Sequence, residues 1–353
     1  ALCAAAMMTL TACTGNAPAT EEEKPSDAAS TETKDEATDK KDEDKTADAS
    51  AVTGKHEITD LVLPKLAQNE LTTFNILHSE TNEDFEILFN LVEGLLEKDS
   101  LDKRHPCVAT EWGTEDGGLN WTFKLRNDVK WVDMNGNVKA DCVADDFLTA
   151  LEWTLNFHKN DSIGTSMPCQ MIKGAQEYYD YTKGLSKEEA YALTAGEGSK
   201  FREMVAVEAP DAYTLHYTCT AEKPYFDSLM SYTTGMPMSQ AMIDELGGVD
   251  GVRAMNNENM WYNSCYTMTS YLQGNEKVLT KNPEYWDKDC FLFDTVTIRM
   301  VESNDVAYQL YQSGEIDEVA LTESNLKTIS SNENNEYLSL IHISEPTRLQ
   351  LIS

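Results

Sequence analysis

Gly118-Leu119-Asn120-Trp121-Thr122-Phe123-Lys124-Leu125-Arg126-Asn127-Asp128-Val129-Lys130-Trp131 leaves a turn signal and passes at once into period-two alternation. Trp121, Phe123 and Leu125 fall on one side, with Asn120, Thr122 and Lys124 on the other. That pattern predicts a half-buried strand over Asn120 to Leu125, launched from Glu115-Asp116-Gly117-Gly118. The rings at Trp121, Phe123 and Trp131 read as core aromatics, because they take the apolar side of the alternation. Arg126 and Asp128, two residues apart, predict a local pairing that fixes the turn after the strand.

Downstream, Val143 to Phe157 sets Phe147, Leu148, Leu151 and Leu155 on one helical face. The adjacent acids Asp145-Asp146 stand near its start, where they complement the helix dipole. Val205 to Val207 and Thr214 to Thr218 flank Pro210-Asp211 as two strands joined by a turn, and Val278-Leu279 and Val296 to Met300 give more strands. Upstream, Ile58 to Leu63 reads as a short strand ended by Pro64, and Asp84 to Leu96 as an amphipathic helix carrying Phe85, Leu88, Phe89 and Val92. The class is therefore mixed α/β, without an internal repeat.

The chain has 353 residues and a formal net charge of −33, from 28 Lys+Arg against 61 Asp+Glu. A balance that acidic leaves no basic footprint for nucleic acid or for anionic lipid headgroups. Ala1 to Ala12 is apolar and small, too short to span a bilayer, and reads as the remnant of an export signal. Leu10-Thr11-Ala12-Cys13 looks like a lipobox, with Cys13 as the thiol that takes a diacylglycerol; an ordinary cleavage site beside an incidental Cys is the other reading. Acyl chains on Cys13 would hold the protein at a membrane by its lipid alone. Residues 13–54 read as an acidic disordered tether, since they lack the apolar bulk to offset ordering entropy. The tether carries −7 between Glu21 and Ser50, so −26 remains on the rest of the chain.

Thr110-Glu111-Trp112 followed by the Gly118 to Trp131 stretch resembles the signature region of the family 5 extracellular solute-binding proteins, the oligopeptide, dipeptide and nickel type of ABC-importer receptor. Four further stretches keep the family order: Ile172 to Tyr178, Ala209 to Leu215, Lys281 to Asp287, and Gln312 to Asp317. The resemblance covers about Glu57 to Val319. It implies a two-lobed, periplasmic-binding-protein-like α/β fold with an extra subdomain, and a second lobe that is incomplete in this chain. Residues 55–93 and 204–300 would form lobe I, 94–203 its inserted subdomain, and 301–338 the start of lobe II. Residues 339–353 have no counterpart in the family pattern and read as a non-native tail on a truncated chain.

The function implied is a lipid-anchored receptor at the extracellular or periplasmic face of the cell membrane. It would close its lobes on a peptide and deliver it to an ABC permease with its ATPase subunit, acting as a monomer without catalysis or cofactor. Ser79, Glu80 and Thr81 occupy the place where peptide-binding relatives line the cleft; a plain solvated loop is the alternative. Trp261 and Tyr262 precede Ser264-Cys265-Tyr266, which stands where the family usually shows Gly-Pro-Tyr, and read either as an apolar wall for the ligand or as core.

Nothing in the residues points to a catalytic or metal site. The six His are scattered, none of the Cys falls in a CxxC spacing, and no HExxH, GxSxG, P-loop or GxGxxG occurs. Apart from Cys3 and Cys13, six Cys remain, and export permits either disulfides or buried free thiols. Two other functions stay open at this level: the same fold holding a nickel chelate or an oligosaccharide, and a surface hydrolase using paired carboxylates.

Overall fold

The computed structural model describes residues 59–99, 101–160 and 162–331. The signal remnant at 1–12, Cys13, the tether at 13–54 and the tail at 339–353 lie outside the described residues.

Twelve strands appear among the described residues: β1 (Asp60–Leu66), β2 (Leu96–Lys98), β3 (Arg104–Pro106), β4 (Ala109–Gly113), β5 (Asn120–Leu125), β6 (Lys130–Val132), β7 (Val138–Asp141), β8 (Val207–Asp211), β9 (Thr214–Thr218), β10 (Tyr266–Leu272), β11 (Glu276–Lys281) and β12 (Thr295–Val301). Two helices, α1 (Asn82–Leu88) and α2 (Ala144–Leu155), carry the buried acids Asp84 and Asp146. One sheet has the order β1-β12-β11-β10 and another β4-β5-β9-β8, with the two-stranded ribbons β2-β3 and β6-β7 beside them.

β5 takes the span read from its alternation, and its inward residues Trp121 and Phe123 are buried, as is Trp131 in β6. Arg126 pairs with Asp128 at 2.6 Å and also lies 3.4 Å above the centre of the Trp286 ring. α2 falls inside the expected helix, and all but one of its residues are buried. Among its buried polar groups, Glu152 accepts from Lys159 at 2.7 Å, Tyr178 at 2.8 Å and Asn156 at 3.0 Å, whereas Trp153 Nε1 has no hydrogen-bond partner among the described residues.

Two expected boundaries move. Pro64 does not end β1 but sits within it, opposite Arg299 of the parallel neighbour β12. β1 is the outer strand of its sheet, where a residue without an N–H is tolerated. The helix expected over Asp84 to Leu96 stops at Leu88, because the next turn tightens: Asn90 N–H donates to Ile87 O at 3.1 Å and Leu91 N–H to Leu88 O at 2.9 Å. The chain then turns inward past Gly94, where a Cβ would come within 2.7 Å of Gly235 O.

The hydrogen bonding also crosses the expected edge of the inserted subdomain between residues 203 and 204. β9 lies between β5 and β8, with Asn120 opposite Thr218 and Lys124 opposite Thr214. The β8–β9 hairpin thus belongs to the sheet of β4 and β5, since antiparallel pairing in register couples them along their length.

Most buried apolar residues form one continuous core. A small separate cluster of Val301, Ala307 and Ile316 packs where β12 runs into the helix Asn304–Gln312, against Val62 and Leu66 of β1.

Candidate functional site

The loop before α1 is fixed by one buried carboxylate. Asp84 accepts from the Thr72 N–H at 2.8 Å, the Thr72 hydroxyl at 2.5 Å and the Ser79 hydroxyl at 3.0 Å. Thr81 caps α1, its hydroxyl oxygen accepting from the Asp84 N–H at 3.2 Å. Ser79 and Thr81 therefore use their side chains to build the helix entrance, while Glu80 between them, like His78 before them, faces outward. The Leu77 carbonyl behind this loop accepts from Asn160 Nδ2 and from the Ser162 hydroxyl, each at 3.4 Å.

Trp261 and Tyr262 are buried, at 5% and 0% exposure. Tyr262 exchanges backbone hydrogen bonds with Val132 and donates its hydroxyl to Asn257 O at 2.5 Å. The Lys139 ammonium lies 5.2 Å from the centre of the Trp261 ring. In this arrangement neither ring offers a free face, and both support the adjoining segment Asn263 to Tyr266.

That segment is strapped to the end of α1. Asn263 and Ser264 N–H groups donate to Leu91 O, Tyr266 N–H donates to Asn90 O, and the Ser264 hydroxyl donates to Phe89 O at 3.1 Å. Among the described residues the only non-glycine with a positive φ is Asp102, so replacing Gly and Pro by Ser264 and Cys265 brings no left-handed backbone.

Glu93 joins these parts, and no motif in the sequence singled it out. It is 8% exposed and accepts from the Tyr285 hydroxyl at 2.5 Å and Trp286 Nε1 at 2.7 Å. Asn263 bonds its backbone on both sides, with Oδ1 accepting from the Glu93 N–H at 2.9 Å and Nδ2 donating to Glu93 O at 3.1 Å. Burial pushes the carboxyl up to about 7, against the pull of the Tyr285 and Trp286 donors. The stretches at Arg126, Glu93, Asn263 and Tyr285-Trp286 thus meet at one buried point. Glu93 was legible only through the Tyr285-Trp286 pair, two polar-tipped rings that need an acceptor when buried.

Asp317 gives the stretch from Gln312 its role. Its carboxylate accepts from the Val62 N–H at 2.7 Å, and its own N–H donates to Val62 O at 2.8 Å. Of the six cysteines from Cys107 to Cys290, all but Cys290 are buried. Among the described residues no group of three or more His, Cys, Asp or Glu is placed to hold a metal ion.

The sequence model for bacterial extracellular solute-binding proteins, family 5 (middle), matches residues 103–352. The chain belongs to that family. It is 26% identical over 235 residues to the oligopeptide-binding protein AmiA of Streptococcus pneumoniae, an alignment covering 66% of this chain and 32% of AmiA. It is 28% identical over 233 residues to the periplasmic oligopeptide-binding protein OppA of Escherichia coli, covering 65% of this chain and 37% of OppA. Two solved structures share its fold: Listeria monocytogenes OppA bound to peptide, with a TM-score of 0.62 at 21% identity, and the pheromone receptor PrgZ, with a TM-score of 0.64 at 21% identity. Each similarity covers 78% of this chain and 49% or 50% of the other. The chain thus spans about a third of the length of such curated relatives and half that of the solved ones.

The family is one of extracellular solute-binding proteins, and this membership gives the hydrolase reading no support. The mixed α/β architecture is that of the OppA type. The stretches picked out in the sequence are then architectural: Gly174, for example, takes φ +82°, and a Cβ there would lie 1.8 Å from Met204 O.

Proposed function

We propose that this chain is part of a receptor that captures peptides outside the cell and passes them to an ABC permease and its ATPase. The observation that carries this reading is the family match over residues 103–352, together with curated relatives named for oligopeptide or dipeptide binding. The relatives' peptides are theirs; for this chain, peptide binding is the inference. Cys13 is its lipid anchor, so that a tether at 13–54 lets the folded part reach ligand away from the membrane surface.

Within the folded part, the proposed ligand-facing element is the loop Ser79-Glu80-Thr81. Glu80 and the loop backbone meet the peptide, while the side chains of Ser79 and Thr81 hold the loop against Asp84. Trp261 and Tyr262 act from behind, as a packed support for Asn263 to Tyr266. An outward carboxylate at Glu80 suits a peptide amino group or a basic side chain.

Equilibrium dialysis of the protein against equal concentrations of a mixed peptide library, a nickel chelate and short oligosaccharides tests this. Retention of intact peptides above the other two classes is expected. Preferential retention of the chelate or the sugar, or cleavage of the peptides, contradicts it.

A further inference from the structure

We propose that Glu93 and Asp146 are two buried proton-binding carboxyls on either side of Asn263 and Cys142, which tighten the fold as the surroundings become mildly acidic.

The two carboxyls are built alike. Glu93 accepts an indole N–H from Trp286 and a hydroxyl from Tyr285. Asp146, 7% exposed, accepts the indole N–H of Trp131 at 2.9 Å and the N–H of Val143 at 3.0 Å on the same oxygen, Oδ2. Asn263 and Cys142 stand between them: Asn263 Nδ2 lies 4.0 Å from Cys142 Sγ, and the Cys142 thiol hydrogen-bonds Asp146. Among the described residues no Lys, Arg or His lies within ion-pair distance of either carboxyl. A buried carboxylate without a paired cation is costly, and the inexpensive remedy is to take up a proton.

The charged and titratable surroundings are few. Glu97 faces Glu93 from β2 and raises it further, while Arg126, stacked on Trp286, lowers it. Cys107 and Cys265 lie near Tyr285 on the far side. Asp145, itself paired with Arg202, adds to the burial that raises Asp146. The Cys142 thiol is driven upward by burial and by both acids, and so stays protonated. Burial leaves both carboxyls near 7, against ordinary values of 4.5 and 3.8. Because the folded values are raised, the native state holds protons that the unfolded chain has released. Its extra stability is present in full below the unfolded values and is lost as pH rises through about 7.

Glu93 lies between the end of α1 and the Asn263 to Tyr266 segment, so a proton there bears on how that segment is held. The proposal is independent of the ligand.

Urea unfolding of the full chain from pH 5 to pH 8 reads it. The unfolding equilibrium constant of the wild type is expected to rise at least about tenfold per group across that range. Glu93→Gln and Asp146→Asn should each flatten the rise, and the double variant should flatten it most. An unchanged pH dependence in both variants overturns the proposal. Should a variant fail to fold, the infrared carboxylic-acid band of the wild type at pH 6 decides instead: a band lost by pH 8 without unfolding supports it, and a folded protein lacking that band at pH 6 refutes it.

Discussion

Asp317 holds Val62 by both of its backbone groups, accepting the Val62 N–H at 2.7 Å and donating its own N–H to Val62 O at 2.8 Å. Val62 lies in β1, the outer strand of its sheet, and Asp317 follows the helix Asn304–Gln312, so one residue covers the open edge and ties the two ends of the described chain together.

Removing the carboxylate should free that edge. Asp317→Ala is expected to cost roughly 1.5–3 kcal/mol, the usual worth of a hydrogen bond to a charged group. Asp317→Asn, which keeps an acceptor, should cost less. Urea midpoints at constant m-value measure both.

Lys277 is fully buried and meets Glu70 at 2.5 Å, with Glu70 also accepting from the N–H groups of Gly274 at 2.7 Å and Leu71 at 2.8 Å. Glu70→Ala strands a buried ammonium and should cost about 3–5 kcal/mol, whereas Lys277→Met should cost much less. Equal losses in the two variants, measured by urea unfolding, would contradict this ordering.

The same pair sets a pH limit on the acid side. Burial pushes Glu70 up, but Lys277 and the two N–H groups outweigh it, so its carboxyl stays below its ordinary 4.5. With the folded value lowered, the stability it contributes is present above 4.5 and is lost as pH falls through the folded value. Acid unfolding followed by tryptophan fluorescence should shift toward neutrality in the Glu70→Gln variant.

Gly174 precedes the helix Ala175–Lys183 with φ +82°, and its α-carbon faces the backbone of Met204. Gly174→Ala should destabilise by more than about 1 kcal/mol, because both the φ and the 1.8 Å approach oppose a Cβ. Differential scanning calorimetry checks it against Gly198→Ala, where φ is +70° but nothing lies within 4 Å, so that the difference isolates the close approach.

Alternation made β5 and β9 legible, because their alternating apolar residues are buried, and helical spacing found α2 although all but one of its residues are buried. Pro64 misled because a proline ends an inner strand but not an outer one, and strand order is not written locally. Asp84 to Leu96 misled because Leu91, Val92 and Leu95 are buried by a turn, whose residues keep helix-like spacing without a continuous run of helical bonds. The strand pairing across residues 203/204 was not legible for a similar reason: β5 and β9 join residues some ninety positions apart. At the candidate site, Ser79, Glu80 and Thr81 are proposed through family resemblance alone. Asp84, which holds that loop, and Glu93, which joins the Asn263 and Tyr285-Trp286 stretches, were not singled out, since a buried acid looks like a surface one until its donors are known.

Hydrogen–deuterium exchange of the full chain, with and without a saturating mixed peptide library, tests most directly whether a peptide is received at the loop before α1. Slowed exchange centred on residues 78–82, extending to 263–266 and absent with a nickel chelate or oligosaccharides, is the predicted result. Peptide binding that leaves residues 78–82 unprotected, or no protection by any peptide, would contradict it.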